Sequence, residues 1–212
     1  MKKSIIYRPF QKEDVKPLVS VIIDSWNYEK MFSKKISYHF AHTFLYFELI
    51  RESFSQVAEA DGEPIGIIIG NVKNQSRSLK NSLYYPKLIW HASKLLLTKE
   101  GRNVLLRYAG DVAALNSKML KTLDEDFETE VALFAVSPQA QGLGVGSTLY
   151  NYFLDTLKQK NIKNFFLYTD TTCNFGFYEH KGLKQVSAVK KYVPSPVNKE
   201  IEFFLYTGSA HK

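Results

Sequence analysis

The chain has 212 residues, 28 of them Lys or Arg and 21 Asp or Glu, for a formal charge of +7. At 45% hydrophobic and 23% charged it is too apolar for a disordered polar chain, and long enough to bury a sizeable core. One cysteine, Cys173, excludes an intrachain disulfide framework.

The first residues place Lys2 and Lys3 before an apolar run, as a secretory leader does. That run, Ile5 to Tyr7, stops at Arg8 and is too short for one. No stretch approaches the roughly 18 apolar residues of a membrane span. A cytoplasmic protein is the expectation, and a lone cysteine agrees with a reducing compartment.

Ser4 to Arg8 reads as a first strand. Glu13 to Trp26 carries apolar residues at 15, 18, 19, 22, 23 and 26, the spacing of a helix with one buried stripe. Lys34 to Glu52 predicts a second helix, with Phe40, Phe44 and Phe47 on one side. Gln56–Ala60 and Pro64–Val72, joined by Asp61-Gly62, predict a hairpin with a type I′ turn. Gly66 and Gly70 within it point to a bulge or a close backbone contact. A polar linker covers Asn71 to Leu83. Pro86–Thr98 and Asp111–Leu123 read as helices separated by Gly101, the second with apolar residues at 112, 115, 119 and 123.

Charge is uneven along this middle stretch. From Lys73 to Arg107 there are eight basic residues (73, 77, 80, 87, 94, 99, 102, 107) and one acidic, Glu100. From Asp124 to Glu130 there are five acidic residues and none basic. A basic zone of this kind is either a solvated face or an attractor for phosphates, anionic lipid or nucleic acid.

Glu128 to Ser137 predicts a central strand ended by Pro138. A helix follows to about Lys160, with Val145, Leu149, Tyr152, Phe153 and Leu157 on one face. Asn164–Thr169 is the next strand, and Cys173–Lys181 a short helix closed by Gly182. Lys184–Tyr192 and Glu200–Thr207 are the last strands, with Pro194 and Pro196 keeping the loop between them out of the sheet. Strand–helix–strand–helix–strand is an α/β signature.

Between the central strand and its helix lies Gln141-Gly142-Leu143-Gly144-Val145-Gly146. Glycines let backbone N–H groups converge, and a helix's first turn adds unpartnered N–H groups and the positive end of its dipole. Such a turn suits a phosphate or diphosphate. It lacks the Gly-Lys-Ser/Thr ending of a P-loop, and close helix–strand packing without a ligand is the alternative.

Gln139-Ala140-Gln141-Gly142-Leu143-Gly144, after the strand Val131–Val136 and before an amphipathic helix, resembles the acetyl-CoA signature of the GCN5-related N-acetyltransferases. Downstream, Asn174 through Tyr178 to Gly182 resembles that family's Asn…Phe-Tyr…Gly-Phe segment, with Leu183 in place of the closing Phe. The element order resembles the family too, apart from a longer connection at 73–127. The resemblance implies one domain over 1–212 with a helical insert at about 73–127. It implies a mixed, mostly antiparallel central sheet flanked by helices, with splayed central strands.

It also implies that acetyl-CoA is held by the backbone of Phe134, Ala135 and Val136 along its pantetheine arm. Its diphosphate would lie on the amides of Gln141, Gly142, Leu143, Gly144, Val145 and Gly146, with the Ser147 hydroxyl adding to them. Asn174 would contact the pantetheine or its bound water. Tyr178 matches the tyrosine that faces the departing sulfur, and Glu130 the glutamate that acts as general base. Glu128, two residues back, is the alternate base, and the Ala135 amide the oxyanion donor. Asp124, Glu125, Asp126 and Glu128 around Glu130 would raise its proton affinity and attract a cationic amine. The expected acceptor is a small-molecule or peptide amine.

Several candidates are set aside. His39 and His42 share a helix face but lack the partners of a zinc site. Cys173, before a short helix, reads as a small buried residue rather than a nucleophile. Trp26 and Trp90 read as packing residues or as the lining of a substrate groove. Two other function classes stay open: a CoA-binding module without transfer, and an anionic-surface or nucleic-acid binder using Lys73 to Arg107. No recognised RNA or DNA motif surrounds that stretch. A homodimer through the last strands or the middle helices is likewise left open.

Overall fold

The computed structural model describes residues 4–73, 75, 79–123, 125, 127–194 and 197–211. Of the residues named or numbered above, Lys2, Lys3, Arg77, Asp124, Asp126 and Pro196 lie outside the described residues. The strands are β1 (Ile5–Arg8), β2 (Phe54–Ala60), β3 (Glu63–Val72), β4 (Thr129–Val136), β5 (Asn164–Asp170), β6 (Lys184–Val193) and β7 (Lys199–Ser209). They form one sheet in the order β1-β2-β3-β4-β5-β7-β6. Every neighbouring pair is antiparallel except β4 and β5, which are parallel.

Helices α1 (Val15–Ser25), α2 (Tyr28–Met31) and α3 (Lys34–Arg51) cover one face. There Leu18, Ile22, Leu45 and Leu49 bury against Val57, Ile67 and Ile69. Helix α7 (Val145–Gln159) and the short α8 (Gly176–His180) cover the other, where Leu149, Phe153 and Leu157 meet Ile68, Phe165 and Tyr206. The alternation of Ile67, Ile68 and Ile69 between the two cores is the period-2 rule of a strand buried on both faces. Each such side chain, fully buried, stabilises the fold by about 1.5–3 kcal/mol.

The Asp61-Gly62 turn has positive φ at both residues, 53° and 82°, as a type I′ turn demands. Arg8 ties the sheet edge to the start of α1, donating to Asp14 (2.7 Å) and Glu59 (2.7 Å). Gly66 and Gly70 are both close-contact positions: an added Cβ would lie 3.1 Å from the Ala135 carbonyl oxygen and 2.2 Å from the Phe54 ring. Bulges do accompany them. Ile65 is the extra residue opposite β2, and Ala132 the extra residue opposite β3.

Between β3 and β4 come α4 (Tyr85–Leu96), α5 (Lys99–Arg102), a π-helical stretch Asn103–Ala109 and α6 (Gly110–Leu120). Gly101 does not separate two helices, as its residue type suggested; it lies inside α5. A Cβ there would sit 2.2 Å from the Leu95 carbonyl oxygen at the end of α4, so only glycine lets α5 pass. Thr98 caps the turn, its Oγ1 accepting from the Gly101 amide at 3.0 Å. α6 packs Val112, Leu115 and Met119 towards β7 residues Ile201, Phe203 and Leu205.

Three further expectations need correction. Tyr150, not Tyr152, joins the buried face of α7; Tyr152 is 42% exposed and lies against Tyr7. Trp90 is 57% exposed rather than packed. The helix expected from Cys173 begins only at Gly176. His39 and His42 do face one way, and they meet His91 of α4. The His42 and His91 rings stack at 4.1 Å, and burial lowers the His91 imidazole to about 4, with His42 and His39 adding to the effect. Neutral, stacked rings are a packing arrangement. No group of three or more His, Cys, Asp or Glu suited to a metal ion occurs among the described residues.

Replacing Gly101 by Ala tests the crossing of α4 and α5. Alanine is the better helix former by about 1 kcal/mol. The clash with a backbone carbonyl outweighs that, because overpacking costs about 1–3 kcal/mol and the Leu95 oxygen cannot swing aside as a side chain would. The urea midpoint of Gly101→Ala should fall; a rise would mean that the two helices have room between them.

Candidate functional site

β4 and β5 pair at only two positions, Thr129 with Phe165 and Glu130 with Phe166. Beyond them the strands part. β4 stays paired to β3 up to Val136, and β5 to β7 up to Asp170. The Ser137 amide donates to the Ile65 carbonyl at 2.8 Å, which points Ser137 towards β3. By alternation Ala135 points the same way, and Phe134 and Val136 turn their N–H and C=O groups to the gap. The Ala135 amide is therefore turned away from the gap that an oxyanion donor must face. The Val136 carbonyl accepts from Ser25 Oγ at 3.1 Å.

The gap ends at the Gly-rich turn. Gly142 and Gly144 have φ of 78° and 75°, which only glycine adopts at low cost. A Cβ at either would meet no heavy atom within 4 Å, so the space above the turn is open. Gly144 is the N-cap of α7, and no side chain caps that helix. Its first-turn amides, at Val145, Gly146 and Ser147, have no partner within the helix. Two amides expected in this cradle are engaged locally instead: Gln141 donates to Pro138 O at 3.2 Å and Leu143 to Ala140 O at 3.3 Å.

A cleft of about 2120 Å³ runs through the gap. It is lined by Glu130, Phe134, Ala135, Val136, Gln141, Gly142, Gly144, Val145, Gly146, Ser147, Asn174 and Tyr178. Leu143 is not among these lining residues; it is 54% exposed. The volume exceeds the roughly 300–1,000 Å³ of a single small-ligand pocket, and suits an extended ligand with a second molecule beside it.

Tyr178 lies against Phe134 and Phe177, ring centroids 6.4 and 5.6 Å away. Burial pushes its phenol above the ordinary range, so it keeps its proton at neutral pH. Cys173 is pushed up to about 12 by burial, with Asp170 adding to the effect, and is a neutral thiol. Burial also raises the Asp170 carboxyl, opposed by its hydrogen bonds from Thr172.

Glu130 sits where β4 and β5 separate, and its ion-pair partner is a basic residue that the sequence reading did not include. Its carboxylate accepts from Arg51 Nη2 at 3.0 Å, and Arg51 Nη1 donates to Glu48 Oε2 at 3.3 Å. Asn71, with its amide oriented to satisfy both partners, donates to Arg51 O and accepts from Arg51 Nη2, each at 2.9 Å. Glu48 is buried, and desolvation raises it from 4.5 to about 8, against the pull of Arg51 and with Glu130 adding to the rise. Sequence reasoning missed Glu48 and Arg51. Their only local signal is the i, i+3 spacing on α3; Arg51 and Glu130 are 79 residues apart. The same cleft is lined by Trp26, Phe44, Phe47, Tyr108, Phe127 and Tyr168, and Arg51 lies over the Phe47 ring at 5.0 Å.

The model of the acetyltransferase (GNAT) family matches residues 21–182. No curated protein matches by sequence. Solved structures share the fold. A Pyrococcus horikoshii OT3 protein aligns with a TM-score of 0.60 at 15% identity, covering 97% of this chain and 98% of its own. PaiA N-acetyltransferase from Thermoplasma acidophilum, solved with coenzyme A, aligns at 0.52 and 17% identity, over 94% and 98%. The ribosomal-protein-S18-alanine N-acetyltransferase of Escherichia coli aligns at 0.53 and 10% identity, over 99% and 96%.

The Glu48 environment predicts a pH dependence. Between about 4.5 and about 8 the folded chain holds a proton on Glu48 that the unfolded chain has released. The native state then binds more protons, so stability falls as pH rises through that window. Urea unfolding across it should show the wild type losing stability relative to Glu48→Gln. Parallel profiles for the two proteins would mean that Glu48 titrates as an ordinary carboxylate.

Proposed function

The chain belongs to the acetyltransferase (GNAT) family, and we propose that it moves an acetyl group from acetyl-CoA directly to a primary amine. The observation that carries this reading is the parting of β4 and β5 beside the uncapped N-terminus of α7. The gap leaves the backbone of Phe134 and the amide of Val136, whose carbonyl already accepts from Ser25 Oγ, to bond an extended pantetheine arm, as a strand edge bonds a peptide. The amides of Gly142, Gly144, Val145, Gly146 and Ser147 hold the diphosphate, and Asn174 contacts the arm from the opposite wall. PaiA, solved with coenzyme A, supports a ligand of this class. Acetyl-CoA supplies the activated acyl group; the chain's residues orient it and manage the protons.

The amine nitrogen bonds to the acyl carbon, the carbon–sulfur bond breaks, and Tyr178 gives its proton to the leaving sulfur. One ammonium proton goes to the Glu48–Arg51–Glu130 group, after Glu48 has released its own to solvent on entry of the cation, and the second, shed as the amide forms, restores the Tyr178 hydroxyl. Within it Glu130 stands at the mouth of the gap, and burial raises the affinity of Glu48 for a proton. The gap-facing amide of Phe134 or Val136, rather than Ala135, stabilises the developing oxyanion. Aromatic walls with carboxylates among them suit a cationic amine on an apolar carrier. On the same reading the chain is one domain over 1–212. Residues 73–127 are an insert that walls the acceptor half of the cleft through Tyr108, Val112 and Leu120.

One observation favours a second reading, a CoA-binding module without transfer: the Glu130 carboxylate is already held by Arg51. Thiol release from acetyl-CoA, measured over a panel of amines and peptide N-termini, separates the two. Saturable CoA binding with no release from any amine would sink the transfer reading.

Two variants probe the parts separately. Tyr178→Phe should lower turnover by about 10²–10⁴-fold, the usual contribution of a positioned acid, with CoA affinity little changed. Equal turnover would remove Tyr178 from the chemistry. Gly144→Val forces a β-branched residue to a φ of 75° at the diphosphate cradle. CoA affinity should drop at least tenfold; unchanged affinity would place the diphosphate elsewhere.

A further inference from the structure

Helix α4 has two apolar faces. The inner one, Leu88, His91 and Leu95, with Tyr84 just before it, packs on α3 and the core. The outer one faces water. Leu83 is 72% exposed, Ile89 65%, Trp90 57%, Leu96 43% and Leu97 73%, and Leu106 of the π-helical stretch 62%. Large exposed apolar groups gathered on one element mark an interaction surface. No helix among the described residues is long and apolar enough to cross a membrane, so this is a surface and not a span.

Charge selects what covers it. Between Leu79 and Leu120 there are seven basic residues and two acidic ones. Both acids are engaged: Glu100 accepts from the Ser33 amide and hydroxyl at 2.7 and 2.8 Å, and Asp111 pairs with Lys191 at 3.1 Å. Lys94 holds its ammonium 3.9 Å from the centre of the Trp90 ring, and the exposed Lys87, two turns earlier on α4, holds its own 5.8 and 5.9 Å from the Tyr46 and Tyr84 rings. A second copy docked across a two-fold axis would set these cations against one another. A nucleic acid would take the cations but leave Leu83, Ile89 and Leu97 in water, since bases stack on aromatic planes rather than on aliphatic chains. An anionic bilayer surface meets both demands. Its phosphates face the lysines, its headgroup–acyl boundary takes the aliphatic side chains, and an exposed tryptophan beside a lysine is the usual interfacial pair.

We propose that the outer face of α4, with Leu83 just before the helix and Leu97 at its end, docks in the plane of an anionic phospholipid surface. Lys87 and Lys94 set the preference for acidic headgroups, and Ile89, Trp90 and Leu97 enter the boundary. This docking is independent of the chemistry in the cleft.

The test is flotation of the purified chain with two sets of vesicles, phosphatidylcholine alone and phosphatidylcholine with about one-third phosphatidylglycerol. The protein should float with the anionic vesicles and stay behind with the neutral ones. Trp90 emission should shift to the blue on binding, with no shift in Trp90→Phe. Raising salt should weaken the association at least tenfold. The double variants Ile89→Glu/Leu97→Glu and Lys87→Glu/Lys94→Glu should each reduce it at least tenfold while unfolding at the wild-type temperature. Ile89, Leu97 and Lys87 are exposed and Lys94 is half-buried with no acidic partner among the described residues, so the unfolding temperature separates a loss of docking from a loss of fold. Three results would overturn the proposal. One is equal binding, or none, to both vesicle types. The second is a duplex DNA or single-stranded RNA oligonucleotide that binds more tightly than the anionic vesicles and still binds Ile89→Glu/Leu97→Glu. The third is a wild-type dimer in sedimentation that the same variant converts to monomer.

Discussion

The rest of the site depends on the parting of β4 from β5 after two residue pairs. Opening a sheet in its middle is unfavourable, because each unpaired backbone group that leaves water without a partner costs about 1–3 kcal/mol. Two features let the halves stand apart. β3–β4 on one side and β5–β7 on the other are each paired along their length, so neither relies on the other. Phe134, Phe177 and Tyr178 fill one side of the gap with rings that contact each other. The bulge at Ala132 matters as well. Above it Val131 belongs to the α7 core, while Leu133 and Ala135 belong to the α1–α3 core. The extra residue changes which side chains face α3 along the strand that carries Glu130.

Local chemistry made much of this legible. Asp61-Gly62 between two apolar runs could only be a tight hairpin, and the spacing of Val145, Leu149, Phe153 and Leu157 set the face of α7. Spacing alone misplaces Tyr152 because Tyr150 is the same residue type only half a turn away, and which of them is buried depends on what lies opposite. Gly101 reads as a breaker by composition, yet its role is set by the Leu95 carbonyl of another helix. The direction of the Ala135 amide required strand register, which the order of residues does not contain. The Arg51–Glu130 contact joins residues far apart in the chain, and neither carries a local signature.

The charged group beside the gap has an arithmetic of its own. Two carboxylates share one guanidinium, so with both ionised the cluster carries a net negative charge in a place where Glu48 is poorly hydrated. Keeping a proton on Glu48 is one way to neutrality; admitting a cation is the other. On the proposed chemistry the two exchange. A protonated amine that enters brings the missing positive charge, and when it gives up its proton Glu48 can receive it. The magnitudes favour this arrangement over an isolated carboxylate. An alkylamine titrates near 10.4, so handing its proton to an acid at 4.5 costs about 8 kcal/mol. Handing it to one at about 8 costs about 3 kcal/mol. On the proposed chemistry, the same desolvation that makes Glu48 a liability to stability lowers the free-energy cost of freeing the nucleophile. It acts only while Arg51 and the walls of α3 keep water from the carboxyl.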